Sequence, residues 1–200
     1  MDSKPWDARM ARELVRPLVE TPVHPNHITT VGLAVGLASA WFYAQGGAAA
    51  NVGGLLFLLA GIVDHADGEL ARLSGKTSEF GHTYDRIVDL VVKTCLFVGM
   101  GVGLRSGPLG ERAVPMGLVA GLSLVAIFTI RGAMARTRGK DAYRQPSFAG
   151  FELEDILYVI APVTWLGGLS TFFSLAVVGI PAFAVLSAFV WWRSRSEEGG

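Results

Sequence analysis

Hydrophobic residues along this 200-residue chain gather into long runs separated by short polar breaks. The runs lie at residues 28–44, 52–72, 82–104, 113–135, 154–168 and 172–192, close to the twenty or so residues that cross about 30 Å of hydrocarbon. The pattern predicts an all-α, polytopic membrane protein with six transmembrane helices in one bundle over 28–192. The fifth run is expected to be short or kinked, because Glu152, Glu154 and Asp155 crowd its start and Pro162 sits inside it. Ahead of the first run, Trp6, Met10 and Leu14 recur at i, i+4 and i+8, with Ala11, Val15 and Leu18 beside them. Arg9, Arg12, Glu13 and Arg16 take the opposite side. Residues 1–20 therefore read as an amphipathic helix on the membrane surface; the alternative is a cap packed on the bundle. With no repeat and no long linker, 1–200 reads as a single domain with a fraying tail at 194–200.

Composition agrees with a bilayer as solvent. Hydrophobic residues make up 51% of the chain and the mean hydropathy is +0.43, too apolar for an ordinary soluble domain. Net charge is zero, and no nucleic-acid partner is expected. The positions of the basic residues are more informative. Lys4, Arg9, Arg12, Arg16, Arg72, Lys76, Arg131, Arg136, Arg138, Lys140, Arg144, Arg193 and Arg195 fall on one side of the six runs, and Arg105 and Arg112 on the other. By the positive-inside rule both termini face the cytosol, at the inner membrane if the source is prokaryotic. Trp6–Val19 is charged throughout rather than a clean apolar core, so no cleavable signal peptide is expected. Cys95 is the only cysteine, which excludes an intrachain disulfide and points to a buried structural thiol. Trp191 and Trp192 fit an interfacial aromatic belt.

Four carboxylates break this apolar pattern. Asp64 and Asp67 interrupt the second run, and Asp85 and Asp89 open the third. One Asp at the centre of a membrane helix costs roughly 2.5–3.5 kcal/mol on insertion scales, so four unpaired ones call for compensation. Helical spacing makes them converge: Asp64, Asp67, Gly68 and Ala71 form one stripe, and Gly81, Asp85 and Asp89 form the next. Joined by a short turn with Ser74, Gly75 and Lys76 as breakers, the two helices are expected to lie antiparallel as neighbours, with the acidic pairs at matching depths near the cytosolic face. Oxygen donors without a nearby thiol favour Mg²⁺ or Mn²⁺, and four negative charges balance two such ions. Arg72, at the mouth, would meet a phosphate. Pairing of the Asp residues with Arg72, Arg86 and Lys93 is the structural alternative, and a cation carrier is another.

Asp64-His65-Ala66-Asp67-Gly68-Glu69-Leu70-Ala71-Arg72, eight further residues, and then Gly81-His82-Thr83-Tyr84-Asp85-Arg86-Ile87-Val88-Asp89 resembles the signature of the CDP-alcohol phosphotransferases, at every fixed position. Six spans behind a surface helix, and Pro25-Asn26 ahead of the first span, resemble that family too. The resemblance implies an enzyme of phospholipid synthesis that moves a substituted phosphate from a CDP-linked donor to an acceptor hydroxyl and releases CMP. It implies that Asp64, Asp67 and Asp85 ligate metal, that Asp89 is the catalytic base and touches the second ion, and that Gly68, Ala71 and Gly81 line the cytidine site with Arg72 near the diphosphate. A homodimer is expected by the same analogy. The donor is read as CDP-diacylglycerol or a similar CDP-lipid, and the acceptor as a small polar alcohol such as glycerol phosphate or inositol phosphate. Arg131, Arg136, Arg144 and Arg193 are candidates to hold the acceptor phosphate, with topology and lipid headgroup contact as the alternative. His65 and His82 sit one residue from ligand positions and point elsewhere on the helix, so structural roles are expected. Glu69 is read as a helix-mouth or nucleotide contact. Leu90 follows Asp89 where the phosphatidylglycerophosphate type has Lys, and Ala66 stands where Gly is common, so the subfamily stays open. A CDP-choline or CDP-ethanolamine donor with a lipid alcohol acceptor is the alternative within the chemistry, and an inactive scaffold the alternative outside it.

Overall fold

The computed structural model describes residues 6–138 and 159–198, and among them every regular element is a helix. They are α1 (Trp6–Val15), α2 (Pro25–Gln45), α3 (Ala49–Ser74), α4 (Glu79–Gly103), α5 (Ala113–Arg138), α6 (Ile160–Trp165) and α7 (Leu169–Glu198). Local chemistry sets the ends that matter for the site. His24 is extended and its Nδ1 accepts from the Asn26 N–H, while His27 Nδ1 accepts from the His24 N–H, and Pro25 supplies a preset first helical residue. α3 stops at Gly75, whose φ of 67° is left-handed. Ser78 restarts the chain as α4 by accepting from the Gly81 N–H at 3.0 Å. The turn expected at Ser74–Lys76 is thus built from a left-handed glycine followed by a serine cap.

α2 is the spine of the bundle. α3 and α4 both pack along it and touch each other little, α5 packs on α4, α7 on α5, and α6 on α3. The two acidic helices are therefore not the directly packed pair that the short turn predicts. Glycines explain the preference for α2: a Cβ at Gly36 of α2 would stand 2.5 Å from Val92 Cγ1 of α4, and one at Gly99 of α4 would collide with the Ala40 carbonyl of α2. Gly99→Leu is therefore expected to force α2 and α4 apart and to cost about 1–3 kcal/mol, read as a lower unfolding midpoint in detergent. Gly179→Ala, where a Cβ meets nothing within 4 Å, is the matched control and should leave the midpoint unchanged or higher. The main core gathers Tyr43, Phe57, Leu96, Phe97, Met100 and Phe173, and a smaller cluster packs Ala11 and Val15 of α1 onto Ala66 and Leu70 of α3. Met10 and Leu14, on the neighbouring stripe of α1, remain exposed.

Among the described residues, four helical stretches are long and apolar enough to cross a membrane: Pro25–Gln45, Ala49–Ser74, Gly110–Met134 and Leu169–Arg193. They contain the expected spans 28–44, 52–72, 113–135 (but for its last residue) and 172–192. The expected span at 82–104 coincides with α4, whose 25 residues reach about 37 Å but which carries Asp85, Arg86, Asp89 and Lys93 along its course. The expected span at 154–168 lies partly outside the described residues. Its described part, 159–168, holds the six-residue α6, which ends before Gly167 at φ 78°.

Candidate active site

The stripe on α3 and the stripe on α4 face one another across the space that α2 floors. Asp64 has Asp85 and Asp89 as electrostatic neighbours, and Asp85 has Asp64, Asp67 and Asp89. The four carboxylates predicted to converge do so. A cavity of about 80 Å³ opens beside them, walled by Thr29 and Gly32 of α2, Gly61 and His65 of α3, and Val88 and Lys93 of α4. Asp67 is buried and accepts from Thr29 Oγ1 at 2.5 Å, which ties α3 to the spine. Asp89 accepts from Lys93 Nζ at 2.7 Å.

These two pairings matter for metal. Among the described residues no three carboxylate, imidazole or thiol groups stand close enough together to hold an ion as they are. Asp67 is turned toward Thr29 and Asp89 toward Lys93, so wrapping an ion requires side-chain rotation at these positions. The donor set itself suits a hard divalent cation: four carboxylates in one cleft and no thiol among the cavity's walls.

Other residues named from the sequence fall as follows. Gly68 admits the Arg72 guanidinium, since a Cβ there would lie 3.2 Å from Arg72 Nη1. Arg72 in turn donates to Glu69 Oε1 at 2.8 Å, and Glu69 is only 2% exposed. Glu69 is thus a buried partner that aims Arg72, not an outward contact at the mouth. Ala71 continues the α3 stripe, half-buried. Gly81 lies against Asn26 of α2, where a Cβ would stand 3.2 Å from Asn26 Oδ1. His65 lines the cavity, and because a carbonyl only accepts, its Nδ1 donates to the Gly61 oxygen at 2.9 Å. His82 is exposed. Arg86 pairs with no Asp among the described residues: it donates to the Phe128 carbonyl of α5 at 2.7 Å. Of the basic group assigned to an acceptor phosphate, Arg131 is half-buried on α5 and Arg193 exposed on α7, while Arg144 and the side chain of Arg136 lie outside the described residues. Lys76 straps the α3–α4 turn to the segment before α2, donating to the Thr21 and Val23 carbonyls, each at 3.1 Å.

The sequence profile of the CDP-alcohol phosphatidyltransferases matches residues 22–194, which includes both acidic stripes and the spine between them. The chain belongs to this family. Its relatives include a bifunctional IPC transferase and DIPP synthase of Rubrobacter xylanophilus, 30% identical over 121 residues, which are 60% of this chain and 27% of that protein. An archaetidylinositol phosphate synthase of Pyrococcus horikoshii is 30% identical over 87 residues, 43% of this chain and 45% of the relative. A CDP-diacylglycerol–glycerol-3-phosphate 3-phosphatidyltransferase of Rickettsia typhi is 33% identical over 75 residues, 37% of this chain and 42% of the relative. The chain thus matches less than half the length of each of these three. In fold it resembles the phosphatidylinositol phosphate synthase of Mycobacterium tuberculosis. The crystal structure of that protein in complex with manganese and citrate gives a TM-score of 0.67 at 21% identity, over 93% of this chain and 88% of the other. The form with CDP-DAG bound gives 0.63 at 20% identity, over 92% and 91%.

Proposed function

We propose that this member of the CDP-alcohol phosphatidyltransferase family transfers a substituted phosphate from CDP-diacylglycerol or a similar CDP-lipid to the hydroxyl of a small phosphorylated polyol, releasing CMP. The observation that carries the reading is the cleft itself, where Asp64 and Asp67 meet Asp85 and Asp89 with the family signature intact. Asp64, Asp67 and Asp85 would hold divalent metal, with Asp89 touching the second ion. Two Mg²⁺ or Mn²⁺ ions, when bound, supply charge neutralisation for the diphosphate and for the departing CMP. Gly68, Ala71 and Gly81 line the cytidine site, and Arg72, aimed by Glu69, sits at the diphosphate. Asp89 takes the proton from the acceptor hydroxyl as its oxygen forms the new bond to the lipid-side phosphorus and the P–O bond to CMP breaks.

A lipid-linked donor fits the surroundings. An apolar groove of about 340 Å³ runs between α1, α2 and α3, lined by Leu14, Leu18, Val23, Ile28, Ile62 and Ala66, and Ala66 is next in sequence to Asp67. The exposed Met10 and Leu14 would place α1 in the headgroup layer. α4 and the region of 154–168 complete six spans, with both termini and the mouth of the cleft cytosolic, and a homodimer follows by analogy with the family. One relative named for an archaetidylinositol phosphate product and another named for glycerol 3-phosphate as its acceptor support a phosphorylated acceptor, for which Arg131, Arg136, Arg144 and Arg193 are the candidate contacts.

An acceptor screen on the purified full chain tests this directly. With Mn²⁺ or Mg²⁺ and CDP-diacylglycerol, CMP should appear when inositol phosphate or glycerol phosphate is added, and not with unphosphorylated inositol, glycerol or serine. Turnover found only with CDP-choline or CDP-ethanolamine and diacylglycerol would reverse the donor and acceptor roles. Cation flux into liposomes without nucleotide would remove the enzyme reading.

A further inference from the structure

Lys93 continues the acidic stripe of α4 by one more turn, in the order Gly81, Asp85, Asp89, Lys93. Its side chain is nearly enclosed, 9% exposed overall, and a cation there needs a partner to be tolerated. It has two. Nζ donates to Asp89 Oδ2 at 2.7 Å and stands 4.9 Å from the centre of the Phe128 ring on α5. It also walls the cavity beside Asp64 and Asp67, and its charge reaches Asp64. The other cations of these two helices are directed elsewhere: Arg72 to Glu69 at the mouth, and Arg86 to the Phe128 carbonyl.

We propose that Lys93 is a positioning residue of this site: held between Asp89 and Phe128, its ammonium fixes the Asp89 carboxylate and lowers the net negative charge that the cleft presents to divalent ions. The inference rests on the reading of Asp89 as proton acceptor. It also has a consequence of its own. With Lys93 the cluster of four Asp carries a formal charge of −3 and without it −4, so removing the lysine must strengthen divalent-ion binding while it releases the carboxylate from its fixed orientation. Loss of mere packing would weaken both ion binding and turnover.

The test compares the wild type with Lys93→Met and Lys93→Gln as full chains in detergent, measuring Mn²⁺ affinity by titration and CMP release with its KM and kcat. Lys93→Met should bind Mn²⁺ at least about fivefold more tightly, given the strength of unit charges at short range in a partly desolvated site. Its kcat should fall by about tenfold or more with little change in KM for the CDP-lipid. Lys93→Gln keeps a donor for Asp89 without the charge, so the tighter Mn²⁺ binding should persist with a smaller loss of kcat. Should Lys93→Met not fold, the glutamine variant alone decides the charge effect. Mn²⁺ affinity that is unchanged or weaker in the folded variants, in an active wild type, overturns the proposal and leaves the function standing. A wild type that releases no CMP with any acceptor sinks the functional reading, and this one with it.

Discussion

Asp89→Asn is expected to lower CMP release by about a thousandfold, the middle of the range for removing a positioned general base, while CDP-lipid binding persists. Asparagine keeps the shape of the side chain, and its amide oxygen can still accept from Lys93 Nζ, the partner that Asp89 has at 2.7 Å. What it loses is the capacity to take a proton from the acceptor. Asp64, Asp67 and Asp85 remain for the metal, and Gly68, Ala71 and Arg72 for the nucleotide. The contrast between kcat and nucleotide affinity is therefore the informative quantity. It is measured by following CMP release and, separately, by calorimetric titration of the CDP-lipid in the presence of Mn²⁺. Turnover within tenfold of the wild type would show that another group takes the proton.

Chelation should be equally severe. Treating the purified chain with EDTA is expected to bring CMP release to background, and millimolar Mn²⁺ or Mg²⁺ to restore it. The same ions should stabilise the fold: at about 100 times its Kd a ligand contributes about 2.7 kcal/mol, which for a chain of this size raises the unfolding midpoint by roughly 5–10 °C. The reason is local. Four carboxylates share one cleft between α3 and α4, and those two helices lean on α2 rather than on each other. Ions bridging the two stripes would supply a direct link between them. A midpoint indifferent to Mn²⁺, in protein whose turnover also ignores EDTA, would remove metal from the mechanism.

Much of this arrangement was legible in the sequence because it is set by short-range periodicity. The i, i+3, i+4 and i+7 spacing from Asp64 and the i, i+4 and i+8 spacing from Gly81 specify which side chains share a face, whatever the helices pack against. Gly75, one of the expected breakers, marks the turn for an equally local reason, a left-handed stop, while the capping hydroxyl of Ser78 is not among those breakers. Partners distant along the chain were not legible. Thr29 reaches Asp67 across 38 positions, with only the Pro25-Asn26 pair to hint that the start of α2 lies near the site. Lys93 falls one turn past Asp89, an i, i+4 spacing that favours their pairing, but its second partner, Phe128 of α5, was not legible. Glu69 could not be placed for a different reason: spacing puts it off the stripe, and its burial is set by packing that the spacing does not report. The close packing of α4 on α2 depends on Gly36 and Gly99, whose partners Val92 and Ala40 belong to other segments.

The strap made by Lys76 has a mechanical consequence. Its ammonium grips two backbone carbonyls in the stretch that leads from the N-terminal helix into α2, so the rim of the cleft and that approach segment behave as one stiff piece. Tugging on Thr21–Val23 must either drag the hairpin between the two acidic helices along with it or snap both tethers.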